Sequence, residues 1–141
     1  MLIHPTIDKL NSMRLAGMAK GLRAQMENPE IHNLPFEDRL ALLVDAELLE
    51  REGRQLATRL RSAKLRENAA LEDLDTKASR GIDRALLASL ATCQWIKRRH
   101  NLLITGATGA GKTWLSCALS HTACRQGITA AYHRLPALMQ T

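Results

Sequence analysis

One short stretch constrains this chain more than any other: Asn101-Leu102-Leu103-Ile104-Thr105-Gly106-Ala107-Thr108-Gly109-Ala110-Gly111-Lys112-Thr113. An apolar run leads into G-x-x-x-x-G-K-[ST], the phosphate-cradling loop pattern. Leu102 to Ile104 read as a short buried parallel strand, because the run is apolar and stops at glycine. Gly106, Gly109 and Gly111 permit positive φ and keep side chains away from a bound phosphate. Ala107, Thr108 and Ala110 complete the loop backbone whose N–H groups face the anion. Lys112 reaches the β/γ-phosphates as a point charge, and Thr113 offers a hydroxyl to Mg²⁺. The following helix points its positive dipole end at the same anion. The expected ligand is therefore ATP with Mg²⁺.

Aromatic residues make up only 3% of the chain, so Leu, Ala, Ile and Met must fill the core, and helices are favoured. The charge is lopsided. All 14 acids lie before Arg84, together with 13 of the 20 Lys and Arg, whereas residues 84–141 carry seven cations and no acid. A basic half fits phosphate-bearing partners, and it equally fits an ordinary surface without acids. Cys93, Cys117 and Cys124 are odd in number and lack C-x₂-C spacing, which implies buried free thiols in a reducing, cytoplasmic setting. No run of 18 apolar residues exists, so no membrane span is expected, and the N-terminus has no signal-peptide pattern.

The periodicity predicts a helix after Pro5, with Thr6 as N-cap, carrying Leu10, Met13, Leu15, Met18, Leu22 and Met26 and ending at Pro29. A second helix opens at Pro35, with Gly53 as its candidate break. Its later half turns basic: Arg51, Arg54, Arg59, Arg61, and then Lys64 and Arg66. Two readings stand for these six residues. They lie along nucleic-acid phosphates, or they form a solvated face. No interleaved aromatics support base stacking. Glu67 to Arg80 is polar and weakly periodic. Its cluster Glu72, Asp73 and Asp75 is open to two readings, a solvated linker or a metal site. Asp83 is the expected cap of a helix running to about Arg99. After the glycine-rich loop come a helix with Gly127 at C′, a second strand over Ile128 to Tyr132, and a helix opened by Pro136.

The expected architecture is α/β: a helical N-terminal module at 1–67, a linker at 68–82, and the start of a P-loop NTPase domain at 83–141. No Asp or Glu follows Asp83 to hold the Mg²⁺ shell or to activate water, and two strands are too few for a doubly wound sheet. The front portion of a longer ATPase is the simplest expectation, and a short binding protein is the alternative. No catalytic residue is assigned.

Leu15-Ala16-Gly17-Met18-Ala19, Phe36 to Glu47, Leu71-Glu72-Asp73-Leu74-Asp75 and Gly106 to Leu115 together resemble the IstB-type helper ATPases of bacterial insertion sequences. These are relatives of the DnaC helicase loaders in the AAA+ class. The resemblance implies N-terminal helices that contact DNA or a partner, oligomeric assembly on DNA, and direction of a transposase. It implies a nucleotide site at Gly106 to Thr113. Where the family usually shows an aromatic, Leu74 stands here. The alternatives are a helicase loader in replication and a non-hydrolysing interaction module.

Overall fold

The computed structural model describes residues 4–74 and 82–140. They form seven α-helices: α1 (Pro5–Ser12), α2 (Ala16–Glu27), α3 (Phe36–Ala63), α4 (Arg84–Ala91), α5 (Gln94–Lys97), α6 (Lys112–Arg125) and α7 (Leu135–Leu138). Short 3-10 turns occupy Pro29–Asn33 and Leu71–Asp73. The chain divides into two compact units between Gln55 and Leu56.

In the first unit, the long helix expected after Pro5 is split into α1 and α2. His4, not Thr6, caps α1, because its Nδ1 accepts from the Thr6 backbone N–H at 3.2 Å. Arg14 turns left-handed at φ 62° and ends the run. The break has a tertiary cause. Glu47 on α3 accepts from the Gly17 and Met18 N–H groups at 3.0 and 3.2 Å. Those donors are free only at a helix start, so a remote carboxylate serves as the cap that Leu15 cannot provide. Gly17 makes the approach possible: a Cβ there would lie 2.5 Å from the Ala46 carbonyl oxygen and 2.7 Å from the Glu47 Cα. The other carboxylate oxygen of Glu47 meets Arg51 Nε at 2.8 Å and an Arg54 Nη at 3.6 Å. α3 runs through Gly53 without interruption.

In the second unit, α6 is the axis of the core. Cys117, Ala118, Leu119, Ala123 and Cys124 are buried along it, as the seven-residue spacing of the two thiols requires. The three cysteines are free and buried. Burial pushes the Cys93 and Cys124 thiols above their ordinary range, with Lys97 and Arg59 respectively pulling the other way. Ala69, from the segment after α3, is buried against Cys117 and Ala118, and Leu65, Leu71, Trp114 and Tyr132 pack around them. Residues 56–74 thus fall in the same compact unit as the glycine-rich loop, although their composition groups 56–67 with the N-terminal helices and 68–74 with a linker. α6 ends as expected: Gly127 is left-handed at φ 87°, its N–H bonds to the Cys124 carbonyl, and that of Ile128 to the Ala123 carbonyl.

Two expectations fail here. The helix opened by Asp83, which does cap α4 by accepting from the Ala85 N–H, stops at Ala91. Cys93 turns left-handed at φ 60°, and Trp95 Nε1 donates to the Leu90 carbonyl at 2.9 Å, closing that turn. Nor do Leu102–Ile104 and Ile128–Tyr132 form strands. Among the described residues they exchange no ladder bonds, and the Tyr132 N–H bonds instead to the Ala63 carbonyl of α3. Leu103 is 89% exposed, the opposite of a strand covered on both faces. A strand exists only by pairing, and apolar composition supplies no partner.

Replacing Gly17 with Ala forces a methyl group into backbone atoms that cannot swing aside. The first unit is expected to lose about 1–3 kcal/mol, read as a shift in its urea midpoint. The Gly53→Ala control, where nothing lies within 4 Å, is expected to be neutral or stabilising.

Candidate phosphate-binding site

Two left-handed glycines shape the loop. Gly109 at φ 82° and Gly111 at φ 95° adopt the conformation that only glycine takes without strain. Gly106 is not among the positive-φ residues. A Cβ there would make only ordinary contact, 3.7 Å from Ala110 Cβ and Lys112 Cδ, so its expected conformational role is absent. The Ala110 N–H closes a turn on the Ala107 carbonyl at 3.1 Å. Gly111 occupies the N-cap position of α6, and no side chain caps the helix. The first N–H groups of a 14-residue helix therefore open on the loop, the arrangement that attracts an anion.

A cleft of about 420 Å³ lies over this end of α6. Thr108, Gly109, Gly111, Lys112, Thr113 and Trp114 line it. Gly106, Ala107 and Ala110 frame the loop without lining the cleft. Lys112 Nζ donates to the Gly106 carbonyl oxygen, which keeps its ammonium at the loop mouth. Backbone donors, one ammonium and one hydroxyl are a donor set that fits a triphosphate and its Mg²⁺. Part of the lining was not anticipated from the sequence. Arg66 and Glu67, some 45 positions upstream of the loop lysine, line the same cleft. No spacing rule links residues so far apart. Only the burial of Leu65 and Ala69 against α6 brings them in.

The six expected nucleic-acid contacts are dispersed. Arg51 and Arg54 lie in the first unit and pair with Glu47. Arg59, in the second unit, donates to the Cys124 carbonyl at 3.2 Å, bracing the end of α6. Arg61 and Lys64 are exposed and join no ion pair among the described residues. Arg66 faces the cleft. Of the acidic cluster, Glu72 is held by Arg125 at 2.6 Å, Asp75 lies outside the described residues, and no metal-binding group of acids, His and Cys occurs among the described residues. The same residues contain no helix long and apolar enough to cross a membrane.

A sequence model described as IstB-like ATP binding protein matches residues 8–141. The chain belongs to the IstB-like family. It is 48% identical, over 99% of its length, to a Pseudomonas fluorescens protein named for insertion sequence IS1162 and ATP binding, and it covers 61% of that protein. A Sinorhizobium fredii protein similarly named for an insertion sequence and ATP binding is 48% identical over 98% of the chain, with 56% of the relative covered. A Mycobacterium tuberculosis relative, also named for ATP binding in an insertion sequence, is 32% identical over 84% of the chain, with 47% covered. The chain thus spans about half to three-fifths of the length of these relatives.

The divided basic set yields a stability test. Arg59→Ala removes a charged donor from a helix-end carbonyl and is expected to cost about 1–2 kcal/mol. Arg61→Ala is expected to stay within about 0.5 kcal/mol of the parent. Thermal unfolding of both variants checks the contrast.

Proposed function

We propose that this chain is the ATP-binding portion of a transposition helper that works with a transposase on DNA. The observation that carries the reading is the cleft over α6, where uncapped N–H groups, Lys112 and Thr113 converge. When bound, Mg²⁺ would neutralise part of the triphosphate charge. Thr113 is the residue to hold it, Lys112 the one to meet the β/γ-phosphates, and Gly106 to Gly111 the loop that wraps them. The relatives are named for insertion sequences, which favours transposition over helicase loading. Binding is the role assigned to these residues: the loop N–H groups, Lys112 and Thr113 hold the phosphates and the metal.

Further parts of the reading rest on the same frame. Pairing of Leu102–Ile104 and Ile128–Tyr132 with additional strands would give an α/β P-loop sheet and cover Leu103. Oligomeric assembly on DNA follows the family resemblance, and three buried free thiols suit a reducing cytoplasm. DNA contact falls to Arg61 and Lys64, the exposed cations of the basic set that have no internal role.

Replacing Lys112 with Ala is expected to weaken Mg-ATP binding about 10- to 100-fold, since a charge-assisted contact contributes about 1.5–3 kcal/mol. Calorimetric titration reads it, and equal affinities would remove the nucleotide assignment. For DNA, the Arg61→Ala/Lys64→Ala double variant is expected to flatten the slope of log K against log salt by about 1.8, alike on two unrelated duplexes. An unchanged slope would return both residues to the solvated surface.

A further inference from the structure

We infer that Arg66 is a nucleotide-binding residue, contacting the triphosphate in the cleft that it lines together with the glycine-rich loop. The inference rests on the ATP-binding reading above and extends it to a segment outside the loop motif.

Arg66 lines the cleft together with Gly109, Lys112 and Thr113. Its backbone is held in place from both sides. Leu65 packs against Cys117 and Ala118, the residues that also bury Ala69. Arg66 is exposed, and among the described residues it has no hydrogen-bond or ion-pair partner. This separates it from Arg51, Arg54 and Arg59, whose guanidinium groups are engaged within the fold. Among the described residues that line the cleft, Arg66 and Lys112 outweigh Glu67, so this lining is net positive. A triphosphate offers more oxygens than one ammonium can engage. A guanidinium fork meets two of them with paired, coplanar donors, a geometry that the point charge of an ammonium does not impose.

The consequence is a direct tie between nucleotide and the segment leading out of α3. Filling the cleft would fix Arg66, and with it the chain between Ala63 and Ala69.

The test titrates the 141-residue chain and its Arg66→Ala, Arg66→Lys and Lys112→Ala variants with Mg-ATP and with AMP, and measures duplex-DNA binding against salt. Arg66→Ala is expected to weaken Mg-ATP about 10-fold, with AMP affinity and the DNA salt slope unchanged. Arg66→Lys is expected to recover only part of that loss. Circular dichroism checks that each variant keeps the parent's helix content. Parent-like ATP affinity in Arg66→Ala, alongside a weakened Lys112→Ala, overturns the role of Arg66 and leaves the loop assignment intact. Parent-like affinity in both variants overturns the ATP-binding reading itself, and the inference falls with it. A flattened DNA slope with unchanged ATP affinity places Arg66 on a DNA surface and refutes the proposal.

Discussion

The second unit depends on one packing contact, the burial of Ala69 against Cys117 and Ala118 of α6. Small side chains on both partners let the segment after α3 lie close to the helix. α6 thereby gains a covered flank, and its N-terminal end stays open. The backbone bond from Tyr132 to the Ala63 carbonyl and the Arg59 bond to the Cys124 carbonyl pin the same segment from other directions. The helix that presents the glycine-rich loop is thus held by residues that precede that loop by about forty positions. Among the described residues, the loop ahead of Gly111 is held by its internal turn and the Lys112 contact.

Much of the loop was legible because glycine chemistry is local. Left-handed φ at Gly109, Gly111 and Gly127, the Asp83 cap and the buried stripe of Cys117 and Cys124 follow from neighbours in the chain. The failures share a cause of another kind. The break before α2 answers to Glu47, thirty residues away, and propensity cannot register it. The expected strands lacked ladder partners, a property of a sheet and not of Leu102 or Ile128. The presence of Arg66 and Glu67 in the cleft lining depends on tertiary packing.

The basic residues teach a related lesson. As letters, Arg51 to Arg66 form one class. In the fold they do four jobs: countering Glu47, bracing the end of α6, facing solvent, and lining the cleft. Charge counted along a sequence therefore overstates the charge offered to a polyanion. A guanidinium already paired to a carboxylate contributes little to counterion release, because its neighbour cancels its field at short range.

The Glu47 carboxylate makes the first unit a proton-linked assembly. Burial raises its pKa, but hydrogen bonds from Arg51, Met18 and Gly17, with the Arg51 charge, outweigh that and hold it below the ordinary carboxylate value of 4.5. The folded form therefore binds its proton less readily than the unfolded chain does. The linked stability is fully present above the ordinary carboxylate range and drains away as pH falls through the lowered value. Protonation would strike several contacts together, namely the start of α2, its seat on α3, and the neutralisation of Arg51 and Arg54. Acid would thus loosen this unit at one point, whereas the core around α6 has no buried carboxylate among the described residues to titrate.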